Sequence, residues 1–487
     1  MKLKFKLIKL EAGRPIAFIS KDFADRNGIF KGGRIEVFYK GRRTIIIADV
    51  VEKMLKDNEI ALSEEAMSFL KVRGEEEVDV SIALEPESVR YILKKLEGKT
   101  LNKEEIFSII NDIANNALNE AEIAYFVSGV YHCSMSFEET VYLTDAVAKT
   151  GKIIKWSEDV ADKHSIGGIA GNRTTPIIVS ICASLGVKMP KTSSRAITSA
   201  AGTADVLETV TNVELSVEKL KQVVEKTNGC FAWGGSLGLA PADDKLIRVE
   251  RMLNVDPEPQ LLASILAKKI SVGSKYILID IPCGNGAKVS VGEAKNLSKK
   301  FIKIGKRFNL KIKVVLTKGN EPIGNGIGPA LEMIDVLKVL NRNNPPRDLE
   351  EKSIYIASEI LEMVGKAKKD HGKDLARETL NSGRALKKFN EIICAQGKKN
   401  IELKTAKFSF DVKAERNGKV KRIDNKDINL IAKVLGCPNN IGSGIYLYKH
   451  IGDKVKKGEK ILTLYSESRR KLNEGLRYYK EGSVVKI

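Results

Sequence analysis

The chain has 487 residues, 43% hydrophobic and 30% charged. That is a globular composition, long enough for two to four domains with a sizeable core, and no apolar run approaches the ~18 residues of a membrane span. The net charge is +20, from 82 Lys and Arg against 62 Asp and Glu, but the cations alternate with acids, as in KKLEGKTLNKEE, with no basic tail and no aromatic–basic platform. This argues against nucleic acid as partner and for a positive field that attracts small phosphorylated ligands. Cys133, Cys182, Cys230, Cys283, Cys394 and Cys437 form no CxxC pair, and the four histidines are scattered. Reduced thiols are expected, without a zinc site or disulfide framework.

The start, MKLKFKLIKLEAGRP, alternates charged and apolar residues. It lacks a signal-peptide core and reads as a strand, so a cytoplasmic protein with no membrane association is expected. FKLIKL, IEVFYK, TIIIADVV and EVDVSIAL are short β-rich runs between glycine turns, which predicts a small barrel-like β domain over residues 1–85. From 86 to 151 the period becomes helical. Asn102/Glu105 and Ser136/Glu139 match capping boxes, Ile106, Ile109, Ile110 and Ile113 share one face, and Gly151 ends the second of these helices, in a lobe of at least three.

Beyond residue 160 strands and helices alternate: a helix near 176–185, a strand near 187–190, a helix led by Ser216, the strand-like FAW and a loop GGSLGLAPADDK. A helix from Asp256-Pro257 to Gly273 follows, then the strand YILIDI, the loop PCGNGAK, a helix to about 308 and the strand IKVVLT. Such alternation implies a mostly parallel sheet covered by helices, with ligands at the carboxyl ends of its strands. Asn343-Asn344-Pro345-Pro346 is a break, after which helices run from Asp348 to about Gly383. From about 405 the pattern is β-rich again, with turns at Asn417-Gly418, Gly442-Ser443-Gly444, Gly452-Asp453 and Lys457-Gly458. This predicts a C-terminal α+β domain over 405–487.

Asp162–Glu208 carries the most chemistry. Lys163-His164-Ser165-Ile166-Gly167-Gly168 puts a cation, an imidazole, a hydroxyl and two glycines within six residues. Ser193–Thr203 adds Ser193, Ser194, Arg195, Thr198, Ser199 and Thr203 among small residues. Glycines let backbone amides approach an anion, and hydroxyls and lysine add donors, so these loops suit phosphate. Thr175-Pro176 reads as an N-cap and first helical residue, with Gly186 as the stop, which sets a helix N-terminus after the first loop. The alternative is two polar loops around a core helix.

Two other motifs carry less. Gly234-Gly235-Ser236-Leu237-Gly238 matches a nucleophile elbow, but only His371 and His450 follow it, neither in a suggestive loop. Gly284-Asn285-Gly286 and Gly324-Asn325-Gly326-Ile327-Gly328 are fragments of a dinucleotide fingerprint without its strand and distal acid.

At Lys163–Gly168 the chain resembles the pyrimidine-nucleoside (thymidine) phosphorylase family. The resemblance continues through Ser193–Glu208, Leu239–Asp243, Ala263–Lys269 and Glu321–Gly324, and covers roughly residues 90 to 480. The extra β-rich residues 1–85 and several altered positions are more similar to the archaeal AMP-phosphorylase branch. The resemblance implies an α/β fold: a helical lobe (about 86–151 with 240–272) and a larger α/β lobe within a core of 86–404, between the N-terminal β-rich and C-terminal α+β domains. It implies phosphorolysis of nucleoside 5′-monophosphates, AMP and phosphate giving adenine and ribose 1,5-bisphosphate, with CMP and UMP as further substrates. Phosphate is then a co-substrate, no organic cofactor or metal is required, and a homodimer or larger homo-oligomer is expected.

By the same resemblance Lys163, Ser165, Thr175, Ser193 and Thr203 hold phosphate. Gly168, Ser194, Arg195, Ala196, Ile197, Thr198, Ser199, Thr203, Ser264, Lys268 and Lys288 hold the nucleotide. Asp256 protonates the departing purine and His164 orients the base or stabilises charge; an ordinary helix cap is the competing role for Asp256. The thymidine enzymes have a glycine-rich run where this chain has Ser194–Thr203, and the added hydroxyls suit a 5′-phosphate. Their pyrimidine-contacting arginine falls on Val249, with Arg248 and Arg251 nearby. A pyrimidine-nucleoside phosphorylase is the alternative. Anthranilate phosphoribosyltransferase shares the lobes, but its acidic metal–diphosphate site is not seen in the Lys163 loop.

Overall fold

A computed structural model describes every residue of the chain except Glu75, Ile197 and Thr198. The chain folds into two compact units, residues 1–151 with 240–267 and residues 152–239 with 268–487.

In the first unit, alternating apolar residues at Leu3, Phe5, Ile35, Val37, Ile46, Val78 and Val80 are buried at 2% exposure or less. Period-two alternation gives each strand one apolar face, and six strands close that face on itself. Lys2–Phe5 pairs with both Glu59–Leu62 and Glu77–Ile82, and Ile16–Ser20, Arg42–Val51 and Arg34–Tyr39 complete the circle. Closure leaves no sheet edge, and the barrel has its own core.

Four helices follow, Ser88–Leu96, Lys103–Ala114, Glu120–Cys133 and Phe137–Lys149. Both expected capping boxes form, and Asn119/Glu122 makes a third. Ile106, Ile109, Ile110 and Ile113 are fully buried. Glu139 belongs to its capping box and also accepts from buried Lys95 Nζ and Leu101 N, both at 3.0 Å.

The stretch LAPADDK is not a loop. It opens the helix Pro241–Leu253, with proline in the first turn where no amide is needed and Ala242, Leu246 and Val249 on the buried face. Lys245 of this helix donates to the carbonyls of Ile113 and Ala114, at 2.9 and 2.6 Å, and so caps a neighbouring helix end.

The second unit is built on two parallel sheets. One has the order Lys311–Lys318, Ser274–Cys283, Val160–Ser165, and the other pairs Met189–Ser193 with Gly229–Trp233. A bond from Ala161 N to Lys188 O, 2.9 Å, ties them. The central strand Ser274–Cys283 is buried almost throughout, as a strand covered on both faces must be. The helix Thr175–Ser184 supplies a run of buried apolar side chains to the main core.

Three local expectations are corrected here. Thr175 is the first helical residue and Thr174 the cap, because the chain already turns helical before Pro176. Gly186 does terminate the helix, at φ 78°. Helices do not stop at Gly383: that glycine is a left-handed joint, φ 77°, leading into Arg384–Gln396. Gly418 is no turn residue, since Gly418–Lys419 pairs with Lys454–Val455.

The C-terminal residues form an antiparallel sheet of Phe408–Lys413, Lys460–Ser466 and Gly444–Leu447, flanked by helices Asn425–Leu435 and Arg469–Glu481. The short strand Gly326–Ile327 adds to it from the α/β part. The C-terminal core therefore includes Ala170, Ala200 and Ile327 from earlier in the chain.

Candidate active site

The parallel strands deliver their final residues to one edge. Ser165 ends one strand, in register with Asp280 of the next, and Ser193 ends another. The Oγ atoms of Ser165 and Ser193 are buried and have no hydrogen-bond partner within the protein. A buried polar atom left unpaired costs about 1–3 kcal/mol, and two such hydroxyls at neighbouring strand ends are available to a ligand.

Lys163, 3% exposed, donates from Nζ to Thr174 Oγ1 at 3.1 Å. Burial pulls its pKa down to about 8, with Asp280 opposing and Lys352 and Arg173 adding to the fall. Asp280 is fully buried, accepts from Thr317 Oγ1 at 2.6 Å and lies 3.2 Å from Lys352 Nζ. Burial favours its neutral form, but Lys352, Lys163 and Thr317 outweigh this and keep it ionised. Arg173 bridges Glu332 (2.7 Å), Thr203 Oγ1 (2.5 Å) and the Ala201 carbonyl (2.9 Å), so the Thr203 hydroxyl is held beside this cation.

Beneath His164 lies a second set of cations. Asp162 accepts from Lys269 Nζ at 2.6 Å and from the Lys163 amide at 2.7 Å, and lies 3.5 Å from Lys191 Nζ. Burial, reinforced by Lys269, Lys191, Lys268 and Lys163, pushes the His164 pKa well below the ordinary histidine value. His164 is therefore a neutral imidazole near pH 7, able to donate or accept but not to add charge.

After Ser165 the chain turns through Gly167 and Gly168, at φ 85° and 88°. A Cβ on Gly168 would come 2.9 Å from Lys288 Cγ, so the glycine is what lets these two loops meet. Gly168 and Lys288, each expected to meet the nucleotide, are thus neighbours.

The second loop is held from within. Asp205 accepts from the amides of Ala196 (2.7 Å) and Gly202 (2.8 Å), and the Ser194 carbonyl accepts from Ala204 N (3.3 Å). Ser199 Oγ donates to the Ala201 carbonyl at 2.9 Å. Arg195 is not an open cation: its guanidinium is bound by Glu208 (2.5 Å), Glu214 (2.9 Å) and Asp205 (3.2 Å) and lies 4.7 Å from the Trp233 ring centre. Ile197 and Thr198 lie outside the described residues.

Asp256 and Ser264 belong to the first unit, whereas Lys268, four residues after Ser264 in the helix Glu258–Val272, belongs to the second. Pro257 O accepts the first bond of that helix, from Leu261 N at 2.9 Å. Pro257 is therefore the cap position, and exposed Asp256 stands one residue before it. Val249, where the thymidine enzymes carry arginine, is buried in its own unit, and Arg248 is turned to the Gly13 carbonyl (2.5 Å) and Glu120 (3.5 Å).

The remaining glycine motifs are occupied by the protein itself. Amides of Gly324, Asn325, Gly326 and Gly328 donate to Asp348, Asp335 and Glu332, and Ser236 Oγ donates to Trp233 O. Sequence reasoning missed Arg173, Asp205 and the Asp280–Lys352 pair. Asp280, an acid inside the apolar run YILIDI, was the available signal, because a parallel strand buries a charge only against a partner. Among the described residues no group of three His, Cys, Asp or Glu side chains could hold a metal ion, and no helix is long and apolar enough to cross a membrane.

Comparison with known proteins agrees with this architecture. The glycosyl transferase family helical bundle domain matches residues 89–151, its a/b domain residues 157–386, and the pyrimidine nucleoside phosphorylase C-terminal domain residues 419–486. The fold is that of anthranilate phosphoribosyltransferase from Thermus thermophilus, at TM-score 0.54 and 17% identity over 63% of this chain and 99% of that one. The AMP phosphorylase of Methanocaldococcus jannaschii is 42% identical over 98% of this chain and 95% of its own length, and that of Pyrococcus furiosus 42% over 100% and 98%. Identity of this degree across both units, barrel included, means that the chain belongs to the AMP phosphorylase family.

Proposed function

We propose that this protein catalyses the phosphorolysis of nucleoside 5′-monophosphates, converting AMP and inorganic phosphate to adenine and ribose 1,5-bisphosphate, with CMP and UMP as further substrates. The observation that carries the site is the pair of unpartnered hydroxyls, Ser165 and Ser193, at the strand ends beside buried Lys163. These groups, with Thr175 and the Arg173-held Thr203, suit a phosphate. A phosphate oxygen attacks C1′ as the bond from C1′ to the base nitrogen breaks, through an oxocarbenium-like transition state. Fixed donors hold the nucleophile in line, which supplies much of the rate. Asp256 gives its proton to the leaving purine, and neutral His164 supplies a hydrogen bond rather than charge.

Gly168, Ser194, Ala196, Ile197, Thr198, Ser199, Ser264, Lys268 and Lys288 are assigned to the nucleotide. Arg195, with its charge spent on three carboxylates, is assigned to shaping this loop. A cytoplasmic location and assembly as a homodimer or larger homo-oligomer belong to the same reading, the latter checked by light scattering.

The decisive test is base release from AMP, adenosine and thymidine, each with and without phosphate. Adenine from AMP only when phosphate is present supports the reading. Thymine release with AMP inert would replace it with a pyrimidine-nucleoside phosphorylase. Asp256→Asn should fold normally and lose about 100-fold or more in kcat, the usual scale of general acid catalysis; full activity would remove Asp256 from the mechanism.

A further inference from the structure

The two ligand loops are far apart in sequence from the C-terminal domain, yet one helix of that domain is bonded to both. Asn425, the first residue of the helix Asn425–Leu435, is fully buried. Its Oδ1 accepts from Ala170 N at 3.1 Å, just past the Gly167-Gly168 turn. Its Nδ2 donates to the carbonyls of Gly319 (3.4 Å) and Gly286 (3.5 Å), the second in the loop that carries Lys288. One turn on, Asn429, 7% exposed, accepts from Ala200 N at 2.9 Å in the Ser193–Thr203 loop and donates to the Asn425 carbonyl at 2.9 Å.

Apolar contacts repeat the pattern. Ala170 and Ala200, each 1% exposed, are counted in the C-terminal core with Ile428, Ile431, Ala432 and Leu435. Each loop thus has one methyl group in that core and one backbone amide fixed by a buried side-chain amide. The bonds to Ala170 N and Ala200 N are directional and shielded from water, so they set where the loops lie rather than merely adding stability.

We propose that Asn425 and Asn429 are positioning residues for phosphorolysis: the C-terminal helix clamps the Lys163–Gly168 loop, the Ser193–Thr203 loop and the Lys288 loop in the arrangement that binds phosphate and nucleotide. Neither asparagine touches the reacting atoms. They act through the Ala170 and Ala200 amides and the Gly286 and Gly319 carbonyls. This rests on the assignment of those loops to the substrates.

The test compares Asn429→Leu, Asn429→Asp and Leu464→Ala in the full chain, with Lys163→Met as a check on the site. Leu464 is buried in the same C-terminal core on the strand Lys460–Ser466, so its truncation loosens the domain through its sheet. Asn429→Leu should raise KM for phosphate and AMP about tenfold, the scale of one lost buried hydrogen bond. Leu464→Ala should lower the melting temperature with KM unchanged. Asn429→Asp keeps the acceptor for Ala200 and, when protonated, also the donor to Asn425. Its KM defect relative to the wild type should therefore shrink as pH falls.

Equal KM values for Asn429→Leu and the wild type would overturn the proposal, and so would a KM rise in Leu464→Ala matching that of Asn429→Leu. If Lys163→Met also leaves phosphate KM untouched, the site assignment itself has failed. Should Asn429→Leu not fold, hydrogen exchange on the wild type decides. Coupling is reciprocal, so phosphate must slow exchange in the segment 425–435 as well as in the two loops; unchanged exchange in 425–435 would overturn the clamp.

Discussion

Ser165 and Ser193 carry a cost that the proposed phosphate site would explain. Each keeps a buried hydroxyl without a partner at a strand end, and replacing it with alanine removes that cost. Ser165→Ala and Ser193→Ala are therefore expected to melt at or slightly above the wild-type temperature, while kcat/KM for phosphate falls about 10- to 100-fold. Calorimetry and steady-state kinetics on the same samples check both halves. Lys163 makes a prediction in pH. Its ammonium must be charged to hold an anion, and burial has lowered its pKa to about 8 in the unliganded protein. The charged form is complete well below that value and lost above it, so kcat/KM for phosphate should decline on the alkaline side of about pH 8. The limb in kcat should lie higher, because bound phosphate favours the ammonium; a kcat/KM flat to pH 10 would mean Lys163 does not meet the anion. Lys163, Ser165 and Ser193 stood out in the sequence as a glycine-flanked cluster of donors, and the fold brings Ser165 and Ser193 to strand ends with their hydroxyls unpaired. Arg195 was legible as a residue but not as a role. Its partners Asp205, Glu208 and Glu214 follow it closely in the chain, yet only the fold turns the guanidinium onto them.

Caps and faces explain most of the elements. The capping boxes at Asn102 and Ser136 were readable because their chemistry is local, a side chain meeting an amide three residues on. What was not readable is that Glu139 also meets Lys95, 44 residues away and buried with it at 3% exposure each. Lys95→Met would leave a buried carboxylate without its cation, and is expected to destabilise the first unit by about 3–5 kcal/mol. Denaturant unfolding measures this, and a change under 1 kcal/mol would show the pair to be dispensable. The helix Pro241–Leu253 was hidden for a related reason. Its opening LAPADDK is polar and proline-marked, as loops are, and the periodic Leu246 and Val249 come only later. Asp256 was placed at a helix start by its proline; the helix begins at Glu258, and its first bond is accepted by Pro257.

At the scale of the whole molecule the two ends of the chain are attached in opposite ways. Among the described residues, the barrel's core draws on 3–80 alone, and its sheet closes on itself. The C-terminal core draws on Ala170, Ala200 and Ile327, and its sheet accepts the strand Gly326–Ile327. Residues 1–85 expressed alone should therefore fold, with a β-type circular dichroism spectrum and a cooperative melt. A chain ending at residue 404 should lose phosphate binding and expose apolar surface to a hydrophobic dye. If the excised barrel stays unfolded, or the truncated chain binds phosphate as the intact one does, this account of the two ends is wrong.

The order of elements, the alternation that makes a parallel sheet, the donor-rich loops and the resemblance that names the reaction could all be read from the chain. These are properties of neighbours in the chain: periodicity, caps, glycine turns and donor-rich runs. Which of those groups are already engaged is settled by the fold. Arg195 is bound to three carboxylates, the amides of Gly324, Asn325, Gly326 and Gly328 are taken by Asp348, Asp335 and Glu332, and Ser165 and Ser193 are left unpaired. It also decided that Asn425 and Asn429 hold loops more than 200 residues away. A hydrogen bond depends on distance and angle, and a sequence specifies neither for residues that the fold, rather than the chain, makes neighbours.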